Sequence, residues 1–395
     1  MMLFISLLVL AAPEGDPILI FERVKISDTT YEAAGAMDVD HDGNKDIISG
    51  EYWYAGPDFK TRHKICDILK ERDYYDDFSN FPLDVNGDGY VDIVTGGWFG
   101  QKMSWRENPK GQTTEWVTHD IAETGNVEKP VFYDIDGDGF LECIPDAPAV
   151  FIFKLVRDAE GKATGEWKQH IAWPNNDGHG IGFGDINGDG RADIVSPSGF
   201  LLQPEDPYAG EWPHLKGPVL GQASVPIIVH DVNGDGKNDL IVGQGHNYGL
   251  HWWEQQAADG EGNPTWFRYD VDMDKSQFHE MELADIDNDG EQELITGKRY
   301  HAHSGNDPGA EDPVGLYYYE INGGDFVRYT LDFGPAAEHS GSGIDLWVED
   351  IDDNGWKDII APGKEGLYLF KNMGRNDAGK LEAMAKDGRF LHDEL

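Results

Sequence analysis

Apolar residues come in short bursts along this chain, each set off by a polar, glycine-bearing turn. Asp46 is followed by Ile-Ile, Asp92 by Ile-Val and Asp239 by Leu-Ile. Bursts this short, bounded by turn formers, read as buried strands. Ahead of the turns lie alternating, aromatic-bearing segments at 19–26, 60–68, 115–122, 166–173, 211–215, 265–271 and 325–332, which read as half-exposed outer strands. Further strands end in aromatic residues at 104–106, 250–254, 316–320 and 368–371. Each interval has room for about four short strands, and such a period predicts an all-β chain folded as a β-propeller.

The turns share one pattern, D-x-[DN]-x-[DN]-G-x-x-[DE], which occurs seven times at intervals of 46, 50, 51, 46, 54 and 65 residues. Seven turns predict seven blades. Oxygen side chains at positions one, three, five and nine converge when the chain curls, glycine at position six permits the curl, and hard oxygen ligands suit Ca²⁺. The expected ligands are Asp38, Asp40, Asp42 and Asp46; Asp84, Asn86, Asp88 and Asp92; Asp134, Asp136, Asp138 and Glu142; Asp185, Asn187, Asp189 and Asp193; Asp231, Asn233, Asp235 and Asp239; Asp285, Asp287, Asp289 and Glu293; and Asp350, Asp352, Asn354 and Asp358. An EF-hand would place a glutamate at position 12, where this chain has Ser49, Thr95, Pro145, Ser196, Val242, Thr296 and Ala361. EF-hands are therefore rejected.

The repeat starts on an outermost strand and ends on three inner ones, so the strand at 19–26 is expected to complete the last blade and close the ring. The predicted organisation is a signal peptide at 1–12, a propeller at 17–373 and a polar tail at 374–395. The apolar run from Leu3 to Ala12 has the length of a signal-peptide core and is too short to span a bilayer. It implies a secreted or periplasmic protein; a buried first strand is the alternative. The terminal His392-Asp393-Glu394-Leu395 would be an ER-retention address only in a eukaryotic host. Cys66 and Cys143 read as buried free thiols, not a disulfide framework.

Composition narrows the partners. With 74 Asp+Glu against 31 Lys+Arg, the formal net charge is −43. That excludes nucleic acid, which needs a basic surface, and argues against anionic lipid. No membrane insertion is expected. Of the ligand positions above, 24 carry Asp or Glu. Much of the acidity thus belongs to the turns, and seven Ca²⁺ would offset about a third of the net charge.

The repeated loop resembles the FG-GAP/VCBS calcium-loop propeller family, also seen in integrin α heads, over residues 19–372. Four further segments, GHGIGFGDINGDG at 178–190, GQGHNYGLHWWE at 243–254, SQFHEMELADIDNDG at 276–290 and TGKRYHAHSGNDPG at 296–309, resemble the propeller domain of the aldos-2-ulose dehydratase family and its shorter bacterial relatives. That resemblance implies elimination of water from 2-keto sugars such as 1,5-anhydrofructose. The cupin domains that isomerise the product in the fungal enzyme have no counterpart here, so only dehydration is implied.

Topology offers an independent reading. Metal loops join the first and second strands of each blade. Blade-to-blade connections and second-to-third-strand loops lie on the opposite face. His179, His279 and His339 fall in the former, and His246, His301 and His303 in the latter. Lys298 and Arg299 are beside them, with Tyr248, Asn306 and Asp307 near in sequence. Such a group could hold Zn²⁺ or another divalent metal, or supply a base near neutral pH. The candidate catalytic residues are His179, His246, Tyr248, His279, Lys298, Arg299 and His303. Candidate substrate contacts are Trp53, Trp98, His301, Asn306, Asp307 and His339, although Trp in propellers also serves inter-blade packing. The leading reading is a carbon–oxygen lyase on a keto sugar or related carbohydrate. Alternatives are a non-catalytic carbohydrate- or protein-binding propeller, and a polysaccharide lyase or glycoside hydrolase with paired carboxylates among Asp76, Asp77 and Glu128.

Overall fold

The computed structural model describes residues 6–8 (as backbone only), 19–176 and 178–375. Seven antiparallel sheets follow one another around a central axis. Blade 1 runs from its inner strand Gly35–Met37 through Asp46–Ser49 and Tyr52–Tyr54 to its outer strand Arg62–Lys64. Blades 2 to 6 repeat this meander, with inner strands Phe81–Leu83, Pro130–Tyr133, Gly182–Gly184, Ile228–His230 and Phe278–Ala284. Blade 7 takes Trp347–Glu349, Asp358–Gly363 and Gly366–Arg375 from one part of the chain and Leu19–Ser27 from the other. The backbone of Ser6–Leu8 adds a fifth strand outside Leu19–Ser27. The remainder of the candidate signal peptide, and the tail from residue 376, lie outside the described residues. Among the described residues no helix is long and apolar enough to cross a membrane.

Apolar side chains pack between neighbouring blades. Leu316 and Tyr318 of blade 6, for example, meet Phe21, Ile359 and Phe370 of blade 7. Each repeated turn has its position-six glycine in the left-handed region, at φ +91° for Gly43, +93° for Gly89, +97° for Gly290 and +87° for Gly355. A Cβ at any of these four would meet no atom within 4 Å, so the motif keeps glycine for backbone conformation alone.

The position-nine acid is a buried latch. Asp92 accepts backbone N–H groups from Val85, at position two of its own loop, and from Asn108, just past the third strand, at 2.9 and 2.8 Å. Asp46, Asp193 and Asp358 make the same double contact. In four blades the amide residue in or just past the third strand then reaches the neighbouring blade. The Asn108 side chain donates to Val39 O at 3.0 Å, Gln255 to Ile186 O at 2.7 Å and Asn372 to Ile286 O at 2.7 Å; Gln203 donates likewise to Ile135 O. Buried amides thus stitch blades 2, 4, 5 and 7 to blades 1, 3, 4 and 6.

One addition interrupts the regular pattern. The connection from blade 1 to blade 2 carries a small hairpin, Lys70–Glu71 against Tyr74–Tyr75, on the face opposite the repeated turns.

Candidate active site

Segments that enter the inner strands converge near the axis on the face opposite the repeated turns. They bring Glu32 before blade 1, Glu128 before blade 3, His179 before blade 4 and His279 at the head of blade 6. The second-to-third-strand loops of blades 5 and 6 add His246 and His303. Ligand atoms of Glu128, His179, His246 and His279 all lie within 4.8 Å of one another, and all four residues are buried.

The imidazoles are oriented from behind. His179 Nδ1 lies 2.6 Å from the carbonyl of Ala223, so it carries the proton and leaves Nε2 with a lone pair. That Nε2 is buried without a hydrogen-bond partner, 3.6 Å from Glu128 Oε1. His246 Nδ1 lies 2.7 Å from Asp307 Oδ2, which frees its Nε2 in the same way. His279 Nε2 lies 2.9 Å from Glu128 Oε1, and its Nδ1 has no partner. Gly245 permits the close approach, because a Cβ there would sit 3.3 Å from both the His179 and the His279 ring.

Burial alone would raise the Glu128 carboxyl, but the neighbouring His179 ring, the hydrogen bond with His279 and the charge of Arg299 hold it well below the usual range. Arg299 is itself buried and divided between Glu32 Oε1 and Glu128 Oε1, each at 3.0 Å. Burial, aided by the charge of Arg299, pushes His279 well down and His246 to about 4. His179 moves the other way: burial would lower it, and Glu128 and Asp146 raise it.

His303 stands at the lip with a largely exposed side chain. Its ring stacks on that of His246 at 4.2 Å, and its Nδ1 lies 2.8 Å from Asp307 Oδ1. Asp307 thus holds both imidazoles, one per carboxylate oxygen. His301, His303 and Ser304 all have left-handed backbones, at φ +52°, +47° and +55°. A non-glycine residue pays a steric cost there, and such strain concentrates at functional loops.

Other sequence candidates sit elsewhere. Trp53 is a correction: it belongs to the strand Tyr52–Tyr54, is 1% exposed and packs on His63, so it offers no surface to a ligand. His339 is another; it bonds Asp332 at 2.6 Å beside the outer strand of blade 6. Cys66 is half-buried, whereas Cys143 is buried as expected. Lys298 donates to Ser276 Oγ, Gln277 Oε1 and Gly309 O, bracing the 299–313 loop, and burial lowers its amine to about 8. Tyr248 donates to Asp312 Oδ2 at 2.5 Å, His301 pairs with Glu311, and Asn306 donates to His303 O at 2.6 Å. These contacts shape the loop. Trp98, 42% exposed, stands over the cleft.

Asp76 and Asp77 are committed as well. Asp76 accepts the N–H groups of Phe99 and Gly100 at 2.8 and 2.7 Å, and Asp77 pairs with buried Arg106 at 2.7 Å. Glu128, Glu32 and Asp146 were not singled out with the histidines from sequence. They have no motif around them and meet the histidines only through the ring.

The molecule is thus a seven-bladed β-propeller with a histidine-rich cleft on one face. Residues 84–144 and 231–296 match the family model of the FG-GAP-like repeat, so the chain carries FG-GAP-like repeats. Comparison with curated proteins finds no match. Among solved structures it is similar to the crystal structure of the V. cholerae biofilm matrix protein Bap1, with 16% identity and a TM-score of 0.32. That similarity covers 82% of this chain and 45% of that one.

Proposed function

We propose that the chain is a metal-dependent carbon–oxygen lyase acting on a keto sugar or a related hydroxylated carbonyl compound. The observation that carries this reading is the convergence of Glu128, His179, His246 and His279, whose ligand atoms lie within 4.8 Å of one another while the buried His179 Nε2 has no hydrogen-bond partner. Three nitrogens and a carboxylate oxygen suit Zn²⁺ or a similar divalent ion, whose tetrahedral ligand atoms stand roughly 3.3 Å apart. When bound, such an ion polarises a carbonyl and stabilises the enolate formed beside it.

The protein's own groups supply the rest. His303, oriented by Asp307, is placed at the lip to take the α-proton. The imidazolium so formed can return that proton to the departing β-hydroxyl, so the balance is loss of water. His279, 0% exposed, has no access to substrate and serves as a floor ligand.

On the other face we propose calcium in the repeated turns. Ligand oxygens of Asp38, Asp40 and Asp42 come within 4.8 Å of one another, as do those of Asp285, Asp287 and Asp289. Crowded carboxylates of this kind need a counter-charge. In blade 3 the chain provides one, since Lys154 Nζ contacts Asp136, Asp138 and Glu142.

Zinc content after dialysis, together with 1,5-anhydrofructose consumption, tests the lyase reading. The wild type should retain about one ion per chain and consume substrate; His246→Ala should lose both, and His303→Ala only the second. Metal retention unchanged in His246→Ala and His179→Ala would refute the site.

A further inference from the structure

The cleft has two unlike lobes. One, about 430 Å³, sets Asn126, Asp146, Asn176, His179 and His246 beside the apolar Ala147 and Pro148. The other, about 610 Å³, lies under the added hairpin and is lined by Leu69, Tyr74, Phe78, Trp98 and Phe99. Either volume suffices for a small-molecule site. Trp98, Glu128 and His303 line both, so the lobes meet at the proposed metal and base.

The second lobe is built and braced. Ser304 Oγ donates to Asp73 Oδ1 at 2.6 Å, and Lys364 reaches Asp73 and His301 O at 2.9 and 3.0 Å, tying the hairpin tip to the His303 loop. The Asp76 carboxylate fixes the turn that carries Trp98 and Phe99. Yet Leu69 and Trp98 stay 56% and 42% exposed. Of the polar groups at the base of this lobe, Arg299 is held by Glu32 and Glu128 and Ser304 by Asp73; Glu71 and Arg72 stand at the exposed hairpin turn. Against the wall of Leu69, Phe78, Trp98 and Phe99 a second sugar would bring hydroxyls with few partners, and unpaired polar groups are costly to bury. A flat aromatic ring would bring none.

We infer that the ligand has two parts: a hydroxylated sugar in the polar lobe and an aryl group in the aromatic lobe, that is, an aryl glycoside or its keto derivative. The sugar half rests on the lyase reading; the aryl half rests on the second lobe alone.

Calorimetric titration of the full chain with phenyl β-D-glucopyranoside, methyl β-D-glucopyranoside and cellobiose tests this. The phenyl compound should bind about tenfold more tightly than the methyl one, as expected for a stacked, buried ring. Cellobiose should bind no better than the methyl glycoside. The phenyl preference should fall to within about twofold in Trp98→Ala and shrink in Leu69→Ser, both changes at exposed positions. His179→Ala should lose bound metal and keep the preference, so failure of the metal reading is read separately. Equal affinity for phenyl and methyl, no binding of either, cellobiose matching phenyl, or a preference untouched in both lobe variants would each overturn the proposal.

Discussion

The two faces of this propeller use acidic residues for opposite purposes. On the face of the repeated turns, the same carboxylates recur blade after blade and hold backbone: Asp46, Asp92, Asp193 and Asp358 each bind the N–H of position two and of a residue in or just past the third strand. On the other face nothing repeats. Glu128, Asp307 and Asp146 occur once each and hold side chains or loop ends: two histidines and Arg299, two histidines, and Asn176 with the Gly180 N–H. Repetition marks what the fold needs seven times, and its absence marks what a single site needs once. Stability should therefore depend on the first face and chemistry on the second.

Chelation should test that division most severely. Excess EDTA is expected to lower the melting temperature by more than about 10 °C, because ions bound only by the folded ring add their binding free energy to it. Calcium should restore the loss and zinc should not; an unmoved transition would remove calcium from the turns. Next in size is Asp92→Ala. It strips two buried N–H groups of their acceptor and should cost about 3 kcal/mol in chemical denaturation. Gln255→Ala, which breaks one inter-blade stitch, should cost about 1–2 kcal/mol. His246→Ala should abolish zinc retention yet, compared with the wild type with both stripped of zinc, change stability by less than about 1 kcal/mol. If His246→Ala destabilised more than Asp92→Ala, the division between the faces would fail.

The repeated face was legible because the motif carries its own geometry: glycine at position six and acids at fixed offsets determine the turn and the strand that follows. The other face was legible only in part. Histidines stand out by rarity, and topology placed His179, His246 and His303 on one face. Glu128 was named only as a possible partner of Asp76 and Asp77, since an acid among 74 acids gives no sign of its histidine neighbours until the ring closes. Trp53 was misplaced because the turn at Gly50 and Glu51 is only two residues long, which puts Trp53 inside the third strand. His339 does fall in a blade-to-blade connection, but it stays beside the outer strand of blade 6, on Asp332, five residues after that strand ends at Gly334. The side-chain stitches between blades left no trace in sequence, because Asn108, Gln203, Gln255 and Asn372 stand at unequal distances from their acids.

The smallest predicted effect lies between the faces, on the channel wall. Lys129 Nζ bonds Glu280 at 2.5 Å and Asp345 at 2.8 Å, and Glu282 stands beside them. Burial raises the Glu282 carboxyl to about 8, helped by the charges of Asp345 and Glu349 and opposed by Lys129 and Lys357. Its folded value thus exceeds its unfolded one. The folded chain holds a proton that the unfolded chain releases, so this group's contribution to stability falls as pH rises from the ordinary carboxyl range to about 8 and is constant beyond. Glu282→Gln removes that dependence. Channel water screens the group, so the gain should be about 1–2 °C in melting temperature at pH 8 and nothing measurable at pH 4. A gain of equal size at both pH values would show that packing, not ionisation, is what Glu282 contributes. A loss at pH 8 would show that its negative charge is needed beside Lys129, which would make the channel an ionic support for the cleft above it.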